Sequence, residues 1–344
     1  MQSYHVTEKP DRSLWDAFVD ASPAATCYHR YAWRKVMEDS FGHRTHYLAA
    51  LDDLGAVRGV LPLVHMKSAL FGNFMVSVPF VNYGGLLCQS GGAQQALLQA
   101  AELLRRFYGA DHVELRHLGA GVAGLPSREH KVTMVLPLCG DSQAQWAGFN
   151  AKLRNQVRKA EKNGLTCSIG RLELLDDFYT VFARNMRDLG TPVYGKELFR
   201  NVLTELPETT RIIAVACRGK VIAAGILSWY RDTIEMPWAS SIGDYKTLCP
   251  NNLLYWEAIR FAIEKGCTAF DFGRSTPNEG TYNFKKQWGA EPVQLYWQYL
   301  LEEGKALPEL NNKNPKYDLA IRIWRKLPVA LTRLAGPLIV RSIP

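Results

Sequence analysis

Within FDFGRSTPNEGTYNFKKQWG, residues 270–289, Asp271, Arg274, Ser275, Tyr282, Lys285 and Lys286 place a carboxylate, a hydroxyl, three cations and a phenol in one short stretch. A carboxylate there can accept or orient the proton of an attacking amine, which makes Asp271 the candidate catalytic base. Arg274, Lys285 and Lys286 can contact phosphate, while Tyr282 or Trp288 can stack on a base or sugar. Together they suit a cleft for a charged, ring-containing substrate. Upstream, Trp238 and Ser240 end the run TIEMPWASS, and Asn251 and Asn252 open the next apolar segment. In the first half, Asn82 and Tyr83 precede Gly84 and Gly85 at a turn. All of these are candidate substrate-binding positions.

What is missing narrows the chemistry. The eight histidines all lie at or before residue 130, so the second half has none with which to build a Ser-His-Asp or Cys-His site. Its base must be a carboxylate, a tyrosine, water or the substrate. No phosphate-binding Gly-x-x-x-x-Gly-Lys-[Ser/Thr] loop occurs. GAGVAG at 119–124 has the glycine spacing of a dinucleotide site, but only Leu125 to Lys131 follow before the next strand, too few for a crossover helix. His43 and His46 have metal-like spacing without an acid or cysteine nearby in sequence, so no metal site is expected. Seven scattered cysteines without a Cys-x-x-Cys pair predict reduced thiols. With no covalent nucleophile visible, rate enhancement would come from holding an amine and an activated carbonyl together beside an amide-rich oxyanion site.

The elements that must position these residues occur twice. LLQAAELLRRFYGADHVEL (97–115) and LYWEAIRFAIEKGCTAFDF (254–272) each read as an amphipathic helix, a glycine stop and a strand containing an acid. Setting Gly109 on Gly266 places Glu114 on Asp271. Two apolar strands precede each helix, GVLPLVHM and FMVSVPFVNYGG, then VIAAGILSWY and TIEMPWASS, and one strand follows each unit, VTMVLPL or VQLYWQYL. The expectation is a duplicated α+β fold with a mixed sheet in each half: residues 1–140, residues 141–303 as the active half, and a tail at 304–344. Asn251 and Asn252 are expected to cap the second helix, whose free N–H groups can hold an anion or a polarised carbonyl. Between the halves, NAKLRNQVRKAEKNG (150–164) keeps one apolar stripe and covers the rest with Lys152, Arg154, Arg158, Lys159 and Lys162. It is either a solvated face or a surface for polyphosphate or RNA backbone.

A net charge of +8 with 47% hydrophobic residues excludes a disordered chain and favours anionic partners. The start lacks the features of a signal peptide, and no window approaches a membrane span, so a cytoplasmic protein is expected.

PFVNYGG, LRNQVRKAEKNG, LCPNNLLYW and AFDFGRSTPNEGTYNFKKQWGAEPVQLYW together resemble the FemAB family, in particular its branch that accompanies exosortase and PEP-CTERM systems. The resemblance runs from about Trp15 to Trp297 and implies two tandem GNAT-like domains. It also implies transfer of an acyl or aminoacyl group to an amine of a peptidoglycan or exopolysaccharide precursor, nucleotide- or lipid-linked. The GNAT pyrophosphate loop has no counterpart in SSIGDYKTLCPNN, which leaves the donor open between acyl-CoA and aminoacyl-tRNA, with no tightly bound cofactor. Rival readings of the same residues are a non-catalytic RNA- or polysaccharide-binding protein and a scaffold of the exopolysaccharide machinery. The tail, basic and apolar with no acid after Asp318, fits either docking on the protein or peripheral contact with the inner face of a membrane through residues 317–344. Pro328 and Pro337 are expected to break any single long helix there.

Overall fold

A computed structural model of the chain describes residues 3–308 and 315–343; parts of the expected tail, including Pro344, lie outside the described residues. Two compact units are formed, neither from one continuous stretch. The first comprises Met1–Lys131, Gln294–Leu310 and Arg341–Pro344, and the second Val132–Val293 and Asn311–Val340.

The first unit contains β1 (His5–Thr7), β2 (Arg44–Leu51), β3 (Val57–Ser68), β4 (Gly72–Val76), β5 (Leu87–Cys88), β6 (His112–Leu118) and β7 (Ser127–Arg128), with helices α1 (Arg12–Ala21), α2 (Ala32–Phe41) and α3 (Gly91–Phe107). β1 to β4 run antiparallel in order, and β4 is parallel to β6. That parallel step needs a crossover, which α3 supplies. The Ser90 hydroxyl caps α3 by accepting from the Ala93 N–H, and Leu97 and Ala101 bury its apolar stripe against the sheet. Gly109, with φ of 60°, ends the helix as its position predicts.

The second unit contains β8 (Val132–Pro137), β9 (Leu165–Gly170), β10 (Thr210–Cys217), β11 (Lys220–Tyr230), β12 (Thr233–Ser241) and β13 (Ala269–Ser275). Its helices are α4 (Ser142–Gly148), α5 (Ala151–Lys162), α6 (Leu175–Leu189), α7 (Lys196–Glu205), α8 (Pro250–Glu264) and α9 (Gly280–Lys286). β9 to β12 are antiparallel in order, β12 is parallel to β13 through the crossover α8, and β13 is antiparallel to β8. The last strand, β14 (Glu291–Leu301), joins the first unit, antiparallel to β6.

The repeat is therefore visible in the register. Val76 lies opposite Glu114 in the first sheet and Glu235 opposite Asp271 in the second, so the two acids occupy equivalent ladder positions. Linear order misplaces the final strands. VTMVLPL follows the first unit in sequence but pairs with β13, whereas VQLYWQYL follows the second and pairs with β6. An edge strand is recruited by an open row of N–H and C=O groups, which chain proximity does not specify.

The GAGVAG loop packs against β14: Gln298 accepts from the Val122 N–H at 2.6 Å, and a Cβ at Gly121 would lie 2.8 Å from the same oxygen. His46 has an acid beside it after all, Glu8 at 2.8 Å. Helices α10 (Pro315–Lys326) and α11 (Val329–Val340) follow, separated at Pro328. Pro337 does not break α11 but sits within its last turns.

Candidate active site in the second unit

Glycine at position 273 shapes the site. The register of β13 on β8 slips between Asp271 and Arg274, and Gly273 at φ of 75° absorbs the slip as a bulge. Its carbonyl and that of Arg274 accept from Lys285 Nζ at 2.7 and 2.9 Å. Beneath them, Asp271 is 1% exposed, and its Oδ1 accepts from the Thr133 hydroxyl at 2.5 Å and the Gly273 N–H at 2.7 Å.

Lys285 reaches this place from α9, which is held by Trp288 one turn further on. It lines a cavity of about 250 Å³ together with Asn185 of α6, Ala239, Ser240 and Ser241 at the end of β12, Asn251 and Tyr255 of α8, and Gly280, Thr281 and Phe284 around α9. The Asn185 amide donates to Ser240 Oγ at 3.0 Å, which leaves the serine hydroxyl proton for another acceptor. Burial pulls the Lys285 ammonium down to about 8, the Asp271 and Glu235 charges draw it back up, and Arg274 adds to the depression. An ammonium has three donors, and two meet the bulge carbonyls.

Of the residues singled out from sequence, Ser240, Asn251 and Lys285 meet at this cavity. Asp271 does not line it but lies close enough to bias the lysine through its charge. Arg274 and Ser275 belong to β13, because the bulge lets the strand continue. Asn252 is buried and donates to Gln156 of α5 at 3.2 Å. Neither asparagine caps α8: the cap position is Cys249, left-handed at φ of 59°, and Pro250 occupies the first helical position. Trp238 is buried edge-on against Phe199 at 5.4 Å, and Trp288 is 1% exposed in the core instead of being free to stack on a ligand. Tyr282 is partly buried against that core, and Lys286 is exposed beyond it. In the first unit Asn82 and Tyr83 are buried, Tyr83 lying edge-on to Tyr28 at 5.3 Å, so they do not form an open acceptor face.

Sequence reading missed Asn185, Thr133 and Glu235. Asn185 was detectable in principle, since it falls three and four residues after the buried Phe182 and Val181, a polar residue on an apolar stripe. Thr133 carries no local signal, because its partner lies 138 residues away.

Residues 147–286 match the acetyltransferase (GNAT) domain family. The chain is similar in structure to FemX, with a TM-score of 0.65, 15% identity and coverage of 86% of this chain and 97% of that one. It is also similar to a tandem GNAT protein from the clavulanic acid biosynthesis pathway, with a TM-score of 0.56, 12% identity and coverage of 89% and 100%. L-PGS from Bacillus licheniformis gives a TM-score of 0.55 at 13% identity, covering 93% and 99%. In sequence, the chain matches no curated protein. The chain is thus built of two tandem GNAT-like units, of which the second carries the GNAT-domain match and the lysine-bearing cavity.

Proposed function

We propose that the protein is an N-acyl- or aminoacyltransferase acting on an amine-bearing glycan or peptide precursor of the cell envelope or of an exopolysaccharide. The observation that carries this reading is the Lys285 ammonium, held by two main-chain carbonyls at the wall of a small cavity within a GNAT-like unit. The acceptor amine forms the new C–N bond at the donor carbonyl, whose oxygen becomes an oxyanion beside the third Lys285 donor. The C–O bond of an ester or the C–S bond of a thioester then breaks, and the amine's proton leaves with the departing group or through water. Asp271 acts as a positioning residue in this reading, since its charge bears on the lysine and it does not line the cavity. A volume of about 250 Å³ suits a small acyl or aminoacyl group.

The donor is phosphate-bearing in this reading, an acyl-CoA or an aminoacyl-tRNA. Lys152, Arg158, Lys159 and Lys162 are exposed on α5, and Gln156 of the same helix bonds Asn252, the neighbour of the cavity residue Asn251. The deciding experiment offers acyl-CoAs and aminoacyl-tRNAs in pairs with nucleotide-linked amino sugars and muramyl peptides, and follows intact mass. Transfer from one donor to an amine is the expected result and names the donor. Retention of RNA or glycan with no transfer from any pair would replace this reading with a binding role.

The pH dependence has a definite sign. Lys285 is protonated below about 8, so a rate that relies on its ammonium falls as pH rises through 8. Asp271→Asn removes a charge that raises the lysine, and the inflection is expected to move to lower pH. A rate that instead climbs through 8 would make Lys285 the base.

A further inference from the structure

The two C-terminal helices have an inward face that is already occupied and an outward face that is apolar. Inward, Thr332, Gly336 and Val340 of α11 are buried, and a Cβ at Gly336 would lie 2.8 Å from the Val193 nitrogen. Arg187 donates to the Leu327 carbonyl at 2.9 Å, Arg325 to the Leu189 carbonyl at 3.1 Å, and the Arg333 guanidinium lies 4.9 Å from the centre of the Tyr179 ring. The pair is packed within the second unit. Outward, Leu331, Leu334 and Leu338 follow helical spacing and are 51%, 73% and 71% exposed. On α10, Leu319 and Ile323 are 61% and 54% exposed, four residues apart, and Arg322 and Lys326 are exposed beside them. A helix face turned to water normally carries charged side chains, yet α11 holds one charged residue, Arg333, and that one reaches Tyr179.

We propose that this outward face seats on an anionic lipid bilayer, lying in the plane of the interface. Each helix has 12 residues, too few to span, and among the described residues no helix is long and apolar enough to cross a membrane. The leucines reach the depth of the acyl boundary while Arg322 and Lys326 stay at headgroup level, where cations favour anionic lipid. A second copy of the chain is the poorer occupant. A two-fold contact would set the same basic residues against each other in a protein whose net charge is already +8. The proposal is independent of whether the cavity transfers an acyl group.

Flotation of the purified full chain with vesicles tests it. The protein is expected to float with vesicles of phosphatidylcholine mixed with phosphatidylglycerol, more weakly with phosphatidylcholine alone, and less in high salt. Leu334→Gln combined with Leu338→Gln is expected to lower partitioning about tenfold or more on both vesicles. Arg322→Gln combined with Lys326→Gln is expected to lower it about tenfold on the anionic vesicles only. Both pairs are exposed, so unchanged thermal unfolding is the control for fold, and each pair supports the reading without the other. Wild-type protein that stays with neither vesicle, or leucine variants that float like wild type, would overturn it. So would a wild-type dimer in light scattering that the leucine pair converts to monomer without any vesicle binding, which would give the face to a second copy.

Discussion

Lys285→Met is expected to lower kcat by about 100- to 1,000-fold, the loss typical of removing one donor from an oxyanion site. The substitution keeps the aliphatic stem in the cavity wall and removes only the ammonium, so KM for the donor should change far less than kcat. Its pH profile should also lose the fall near 8. A variant that retained most of the rate would remove Lys285 from the chemistry. Stability supplies a separate readout. The folded lysine gives up its proton near 8, while the unfolded lysine keeps it to about its ordinary 10.5, so the unfolded chain binds more protons in between. The lysine's contribution to folding stability therefore rises with pH across that interval, and the methionine variant should lack that rise.

The second large effect is on folding. Trp288→Ala is expected to destabilise the second unit by about 3–5 kcal/mol in denaturant titration, as truncation of a buried aromatic commonly does. Its ring sits 5.3 Å from Phe149 and 6.2 Å from both Tyr255 and Phe272, with Phe284 of α9 at 6.4 Å, so the cavity left behind borders the site on several sides. Loss of this support would also release the helix that presents Lys285. Trp288→Phe should cost much less, because the ring contacts persist and the indole N–H, which has no hydrogen-bond partner among the described residues, disappears. Equal losses in both variants would mean that the indole itself, and not the apolar volume retained by phenylalanine, sets the effect.

How much of this was legible beforehand differs between fold and site. The crossover helices announce themselves through apolar spacing and glycine stops, and the alignment of Gly109 with Gly266 carries Glu114 onto Asp271 as the ladders later show. Periodicity is local, and these features are local. Lys285 stands out by its setting among aromatics, but its burial does not, since Lys286 next to it has the same chemistry and faces water. The difference arises because the bulge at Gly273 aims two carbonyls at one of them. Trp238 and Trp288 drew attention as large rings near polar residues, and both prove to be packing, the usual fate of such rings at helical or strand spacing. Asn82 and Tyr83 look like an exposed turn because glycines follow them, yet the loop is buried.

The exchange of final strands has a consequence for synthesis on the ribosome. Tyr299 of β14 donates to Glu114 of β6 across 185 residues of chain, so the first unit's sheet stays open until nearly all of the second unit has been translated. During that time β6 presents an unpaired edge, and the nascent chain is exposed to mispairing or chaperone capture there. β8 meets the converse delay, waiting for β13 to emerge. Chain truncated near residue 140 by a premature stop would leave a first unit without its closing strand.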